Sequence, residues 1–276
     1  MRKLGLMFGV ISFWGGATTF LTASNDEASA LLLEAVIHDN LENVKAAIAA
    51  GADVNATYKS NDCDNGLSAL HFAAGRDCDS IVNELLKQKN IKVNAIVEPS
   101  SEVRGFTPLH LAAFKDSGQT AEVLCKHPDI RVNAVVKSCG KYKGYTALHL
   151  ASVRGYASVV KALIKHKDID INGAIECDGK YKGFMPLHLA IFKGYRFAVI
   201  ELLQHKDIDV CAPIKNDGEY DGFTPLKLAQ ERSYQKIVAE LLKHKTILPM
   251  QDGEVCMNGG GCKVFTTKLV GQNKEL

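Results

Sequence analysis

The chain has 276 residues, with 33 Lys and Arg against 31 Asp and Glu, which gives a formal net charge of +2. Hydrophobic residues make up 46% and charged residues 23%, so the chain has enough apolar surface for a sizeable core. This charge balance argues against a dedicated nucleic-acid binder and a polybasic membrane-surface protein, and eight scattered cysteines argue against a disulfide-built miniprotein.

The N-terminal segment is typical of an export signal. A basic start at residues 2–3 precedes an uncharged stretch over residues 4–25. A basic start, an apolar run, a glycine breaker and then small residues follow the plan of a secretory signal peptide, here with cleavage after Ala23 or Ala30. The alternative is an uncleaved membrane anchor, because residues 4–25 are long enough for about one bilayer span. We expect residues 1–30 to be a signal peptide or anchor that lies outside the fold.

From residue 31 onwards the sequence repeats every 39 residues. Several residue types recur in step, among them a histidine, a leucine and a closing asparagine: His71, His110, His149 and His188; Leu85, Leu124, Leu163, Leu202 and Leu241; Asn55, Asn94, Asn133 and Asn172. Because so many residue types recur at the same 39-residue spacing, the sequence predicts a tandem array. We divide residues 31–250 into units at about 31–56, 66–94, 105–133, 144–172, 183–211 and 222–250, followed by a C-terminal tail over residues 251–276.

The sequence of each unit predicts a helix, a turn, a second helix and a long loop. In the fourth unit Thr146 is a good N-cap, and Gly155 suits the left-handed residue that ends a helix. Val159, Val160 and Leu163 give the apolar stripe of the second helix. Helices of about seven to ten residues are marginal alone, so the units are expected to stack on one another.

At this point the sequence resembles a known family. Residues 105–113, Gly-Phe-Thr-Pro-Leu-His-Leu-Ala-Ala, and residues 144–152, Gly-Tyr-Thr-Ala-Leu-His-Leu-Ala-Ser, are similar to the signature of ankyrin repeats. The resemblance implies an all-α solenoid of stacked helix-turn-helix units with long hairpin loops. Because the family's usual period is about 33 residues, the extra residues are expected in the projecting loops.

Four positions depart from the family pattern. Met185 stands in place of the capping threonine, and Asp77, Asp116 and Ser233 stand in place of glycine. We expect each to reduce local stability without changing the fold.

The recurring histidines are expected to be structural. Equivalent positions in stacked helices lie about 8–10 Å apart, whereas Zn–N bonds are about 2 Å long, so neighbouring histidines cannot share one ion. Each histidine is instead predicted to bond the backbone near the capping threonine. No catalytic or nucleotide-binding motif is present in the sequence. We therefore expect a non-enzymatic protein without cofactor or metal.

The enlarged loops are the candidate site of partner binding. Each carries a central tyrosine, and their net charge changes from +3 over residues 137–144 through 0 over residues 176–183 to −2 over residues 215–222. Exposed tyrosine and charge suit protein recognition, and the alternative is a solvated loop whose tyrosine packs on its neighbour. The resemblance implies that the ends of the first helices lie with these loops on the concave side. The predicted partner contacts are Tyr142, Tyr181, Tyr220, Arg154, Phe192, Lys193, Phe114 and Lys115.

The cysteines lack zinc-finger spacing. Cys125 occupies a helix position that is predicted to face the core. In an exported protein, Cys139 with Cys177 and, in the tail, Cys256 with Cys262 are the two candidate disulfides.

The leading functional hypothesis is an exported, monomeric module that binds another protein, not nucleic acid, through its concave face and enlarged loops. One alternative is a structural scaffold tethered to a membrane by residues 4–25. The other is an accessory subunit of an enzyme complex.

Overall fold

The computed structural model describes residues 25–59, 66–97, 103–138, 140–244, 247–249 and 255–257. The described residues form six pairs of consecutive helices that pack on each other, one pair for each predicted unit. In chain order these are α1 (Asn25–Ile37), α2 (Leu41–Ala49), α3 (Ala69–Gly75), α4 (Asp79–Leu86), α5 (Pro108–Lys115), α6 (Gly118–Cys125), α7 (Ala147–Arg154), α8 (Ala157–Leu163), α9 (Pro186–Phe192), α10 (Arg196–Leu202), α11 (Pro225–Glu231) and α12 (Gln235–Leu242).

The helices stack in two rows. The first helix of each unit packs against the first helix of the next unit, from α1 through α3, α5, α7 and α9 to α11. The second helices form a parallel row from α2 to α12 in the same order. Among the described helices, none combines the length and the apolar composition of a membrane-spanning segment.

One continuous core runs between the two rows. The recurring leucines of the second helices are all fully buried in it: Leu85, Leu124, Leu163, Leu202 and Leu241. Each lies in a helix too short to be stable alone, so its burial against neighbouring units provides most of the stability. The prediction of stacked two-helix units with a shared core is confirmed.

The helix ends follow the sequence signals. The Thr146 side chain caps α7 by accepting a hydrogen bond from the backbone N–H of His149, and Gly155 ends the helix with a φ of 79°. Asp116 and Ser233, which replace glycine at equivalent positions, adopt the same left-handed conformation with φ values of 64° and 56°. The substitutions therefore leave the fold unchanged, as predicted, but a Cβ in this region is unfavourable.

The closing asparagines link successive units. The side-chain amide of Asn133 donates to the carbonyl of Asp168 at 2.6 Å, and its oxygen accepts from the N–H of Asp170 at 2.9 Å. Asn55, Asn94 and Asn172 make the equivalent pair of bonds to the following unit. We call this series the asparagine ladder. Cys211 has the fifth position, where a thiol cannot make such a pair of bonds.

Both ends of the array differ from the predicted boundaries. Helix α1 begins at Asn25, so the last six residues of the predicted 1–30 segment belong to its first turns. After α12, two short strands, β1 (Ile247–Pro249) and β2 (Val255–Met257), pair in antiparallel fashion, with Leu248 opposite Cys256. This short sheet adds to the otherwise helical architecture at the junction of the sixth unit and the tail.

Candidate protein-binding surface

The enlarged loops are hairpins held by backbone hydrogen bonds. Between the third and fourth units, the N–H of Val136 donates to Tyr145 at 2.9 Å, and the N–H of Gly144 donates to Val136 at 2.8 Å. The same pair of bonds recurs in the next two hairpins. At Gly183 a Cβ would lie 2.2 Å from the carbonyl oxygen of Lys215, so a glycine is required where adjacent hairpins meet.

These hairpins share one face with the C-terminal ends of the first helices. Residues of the hairpins 137–144 and 176–183 line a common groove together with Val153 and Arg154 of α7 and Lys193, which follows α9. We call this the loop face: the hairpins 137–144, 176–183 and 215–222 with the ends of α5, α7, α9 and α11. Every predicted partner contact lies on it or directly beneath it.

An aromatic series lies beneath the hairpins. The ring of Tyr142 packs edge-to-face on Phe114, with centroids 5.5 Å apart, and the ring of Tyr220 packs in the same way on Phe192 at 5.3 Å. In each case the tyrosine of one hairpin contacts the phenylalanine at the end of the preceding first helix. These contacts fix the orientation of the hairpins on the helical rows.

Arginine side chains cover the same phenylalanines. The guanidinium of Arg154 lies 3.6 Å from the ring centroid of Phe114 and donates to the hydroxyl of Tyr142 at 3.3 Å. Arg232 repeats this arrangement, 3.7 Å from Phe192 and 3.4 Å from the hydroxyl of Tyr220. Each arginine is therefore committed by a cation–π contact and a hydrogen bond, which holds its position on the loop face.

The series is interrupted at the fourth unit. The position equivalent to Phe114 and Phe192 is Val153, which offers no ring to the hairpin 176–183. The ring of Tyr181 packs on Phe184 of its own unit, as the other two tyrosines pack on the equivalent rings of theirs, and it also packs on Phe192 at the end of α9, at 5.5 Å from each. A groove of about 690 Å³ lies at this place, with half-buried Val153 among its lining residues.

The groove is strongly basic. Only Asp178 among its lining residues carries a negative charge, against six cations: Lys141, Lys143, Arg154, Lys180, Lys182 and Lys193. The ammonium of Lys182 pairs with Asp178 at 3.1 Å and with Asp217 at 3.7 Å, and these partners raise its pKa above the ordinary value. The other lysines have no carboxylate within 4 Å among the described residues, so their charges remain available to a ligand.

The predicted partner contacts differ in how exposed they are. Lys115 and Lys193 are exposed, and the three tyrosines, Arg154 and Phe114 are half-buried in the aromatic series. Phe192 is the most buried of the eight, with 7% of its surface accessible, and its ring lies between the tyrosines of two hairpins. Whether these residues contact a partner stays a prediction.

Some residues of the groove were absent from the sequence-based list of contacts. Lys141 and Lys180 precede equivalent tyrosines, and the recurrence of a lysine beside a tyrosine was a signal that could have identified them. Val153 was detectable in the same way, as the aliphatic member of a series that contains Phe114 and Phe192.

The recurring histidines lie away from the loop face, inside the array. Nδ1 of His149 accepts a hydrogen bond from the N–H of Thr146 at 3.2 Å, so Nε2 carries the proton and donates to the carbonyl of Gly173 at 2.9 Å. His71, His110 and His188 make the equivalent bonds. Burial disfavours the charged form and lowers the pKa of each of the four rings to about 4. The predicted structural role of the histidines, bonding the backbone at the helix start, is confirmed.

No group of three or more potential metal ligands occurs in the part of the chain that the structure describes. Cys78 is buried and Cys125 is half-buried, and burial raises the pKa of each thiol to about 12, which disfavours the reactive thiolate. Of the two proposed disulfides, Cys139, Cys262 and the side chain of Cys256 lie outside the described residues.

Comparisons with known proteins agree with this architecture. A family model of ankyrin repeats matches in three copies, over residues 32–136, 99–175 and 133–214. The solved structure of the human ASB11 ankyrin repeat domain is similar in fold, with a TM-score of 0.55 and 21% sequence identity over 81% of this chain and 88% of that one. No curated protein matches the chain. Because the family model spans well over half of the sequence, the chain belongs to the ankyrin-repeat family.

Proposed function

We propose that this chain binds another protein through the loop face. Ankyrin repeats are in general modules of protein–protein interaction rather than catalysis. The observation that carries the proposal for this surface is the set of hairpins fixed by backbone bonds and aromatic packing, with lysines that have no carboxylate partner within the described residues. A rigid surface loses little conformational entropy when it binds, which favours affinity.

The composition of this face supports a protein partner. Tyrosine and arginine are the residue types that contribute most of the binding energy in protein interfaces. Tyrosine recurs here at each 39-residue step, as Tyr142, Tyr181 and Tyr220, and an arginine accompanies the first and the last of them, so a partner that lies across several units meets these residue types repeatedly. The hairpin charges change from +3 to −2 along the array, which favours one orientation of the partner over the reverse.

Affinity capture from the native source tests the proposal. The loop-face variant replaces Tyr142, Tyr181 and Lys193 with alanine, and the matched control replaces three exposed lysines outside this face, namely Lys89, Lys161 and Lys236. Wild type and control are expected to retain the same stoichiometric partner, and the loop-face variant to lose it. Equal recovery by all three folded proteins would refute the assignment of this face. Circular dichroism confirms that each variant is folded.

We also propose that the chain is exported and that its leader is removed after Ala23. Ala28 is fully buried in α1, and the hydroxyl of Ser29 accepts from the backbone N–H of Asp53 at 2.9 Å. Cleavage after Ala30 would remove both residues from the first unit, whereas cleavage after Ala23 preserves the whole helix. N-terminal sequencing of the mature protein is expected to begin at Ser24. An intact N terminus in the membrane fraction would favour the tethered scaffold instead.

The accessory-subunit hypothesis differs from these in its partner. It requires the captured protein to be an enzyme whose activity changes when this chain is added. An assay of the captured protein with and without the array separates that role from simple tethering. We propose a monomer for the free array, and a molecular mass near 30 kDa by light scattering is the expected result for the full chain.

A further inference from the structure

We propose that the groove between the hairpins 137–144 and 176–183 binds an acidic protein segment that places one large apolar side chain over Val153. This inference rests on the proposed protein-binding function and specifies the chemistry of the bound segment. It is carried by the interruption of the aromatic series and by the charges that surround it.

The shape of the groove follows from a missing ring. At the steps on either side, a phenylalanine at the end of the first helix fills the space under the next tyrosine, as Phe114 does under Tyr142 and Phe192 under Tyr220. At the middle step the residue is Val153, and the groove there encloses about 690 Å³. The neighbouring groove that contains Phe192 encloses about 540 Å³. An apolar side chain from a partner can therefore take the place of the absent ring.

The cation that follows is also different at this step. Arg154 and Arg232 each stack on the phenylalanine of the preceding unit, at 3.6 and 3.7 Å. The equivalent residue at the middle step is Lys193, which would lie over Val153 and has no ring to stack on. Its ammonium is instead 5.9 Å from the ring of Tyr181. Both halves of the stacked pair are thus replaced in the larger of these two neighbouring grooves.

The lysines are held along both walls of the groove. Lys141 lies 5.3 Å from the ring of Tyr142 on one side, and Lys180 lies 5.6 Å from the ring of Tyr181 on the other. These contacts position the ammonium groups without neutralising them. Like charges lining one groove raise its positive potential, so a segment with several carboxylates gains energy by entering it and is guided towards it.

The surrounding charges favour an acidic peptide over a nucleic acid. A nucleic-acid backbone carries its negative charge continuously along the strand. The next hairpin, residues 215–222, has a net charge of −2 and lies beside the basic groove. A continuous phosphate backbone would be repelled there, whereas a protein segment can confine its carboxylates to the groove.

Fluorescence anisotropy with short labelled peptides tests the proposal. The first probe is a peptide of glutamates around one central phenylalanine. The comparison probes carry lysines in place of the glutamates, or glycine in place of the phenylalanine, and a thymidine oligonucleotide represents nucleic acid. The acidic phenylalanine peptide is expected to bind most tightly, at least about tenfold better than the glycine peptide, with affinity that weakens as salt screens the charges.

Two variants of the full chain separate shape from charge. Val153→Phe restores the aromatic series and occupies the space over residue 153 while every lysine remains, and it is expected to weaken binding of the phenylalanine peptide at least about tenfold. The triple variant K141E/K180E/K193E is expected to abolish binding of the acidic peptides. Its matched control, K161E/K167E/K236E, changes net charge by the same amount at exposed lysines outside the groove and is expected to bind as wild type does.

Each contrary result overturns a stated part. Equal binding by the two triple variants would refute the groove as the acidic site, and undiminished binding by Val153→Phe would refute the position of the apolar side chain. Tighter binding of the lysine peptide or of the oligonucleotide would overturn the acidic-peptide chemistry. If Val153→Phe and K141E/K180E/K193E still capture the native partner through the loop face, the proposed function holds and this inference fails. If no partner is captured but the peptides bind as expected, the proposed function fails and the binding chemistry of the groove holds.

Discussion

The buried histidines are expected to make the array sensitive to mild acid. In the folded chain His71, His110, His149 and His188 have a pKa of about 4, because burial excludes water from the charged form. In the unfolded chain the ordinary value is about 6.5. The unfolded state therefore binds more protons below pH 6.5, and the free energy of unfolding must fall as the pH falls.

The magnitude follows from these two pKa values. Between pH 7 and pH 5 each ring is expected to lower the free energy of unfolding by about 2 kcal/mol, and the four rings together by roughly 7 kcal/mol. The rings are buried, so solvent screening does not reduce this figure substantially. The total is comparable to the roughly 5–15 kcal/mol that stabilises a typical domain. The array is expected to begin unfolding near pH 5, before most carboxylates are protonated.

Urea denaturation followed by circular dichroism at pH 7, 6 and 5 measures this effect. His149→Gln, which removes one buried ring, is expected to reduce the pH dependence by about a quarter although it also lowers stability at pH 7. His166→Gln removes a histidine outside the buried series and serves as the matched control. A free energy of unfolding that stays constant between pH 7 and pH 5, or an unchanged slope in His149→Gln, would refute the reasoning.

Three further changes test the packing and the helix ends, each by urea or thermal denaturation at pH 7. Leu163→Ala is expected to destabilise the array by about 2–5 kcal/mol, because Leu163 is fully buried. The control Leu242→Ala, at a 43% exposed position, is expected to change the free energy of unfolding by less than about 1 kcal/mol. Similar losses in the two variants would contradict the assigned core. Met185→Thr is expected to stabilise α9 by about 1 kcal/mol by supplying the missing cap, and no gain would mean that the cap geometry is wrong. Ser233→Gly is expected to add about 1 kcal/mol by relieving a left-handed φ of 56°, and a loss would contradict that conformation.

The repeat architecture was predictable because local signals and periodicity agree. Thr146 and Gly155 mark the start and end of one helix, and the 39-residue recurrence of Leu163 with its equivalents indicates that the helices must share a core. The role of the histidines was also predictable, because the position three residues after the cap places the ring beside the backbone N–H of the capping residue.

The groove was harder to predict because it depends on contacts between units. Tyr181 follows the same sequence pattern as Tyr142 and Tyr220, yet the preceding helix offers it Val153 in place of a ring, and it packs on Phe192 at the end of its own first helix. Composition gave the charge of each hairpin but not which lysines face the same groove. The burial of Phe192 was missed for the same reason, because its partner Tyr220 comes from the hairpin of the next unit.

The start of α1 was hard to predict for a different reason. Residues 25–30 contain small and polar side chains that fit the end of a leader as well as the first turn of a helix. Their inclusion in α1 goes with the burial of Ala28, which is a tertiary property.

The asparagine ladder gives the array a mechanical polarity. Four junctions are tied by paired bonds from an asparagine, but at the last junction Cys211 provides no equivalent bond. Under a pulling force applied at the two ends, the sixth unit is expected to detach first and at the lowest tension. The remaining units would then unfold in later steps at higher force, so the C-terminal unit is expected to be the mechanically weakest part of the array.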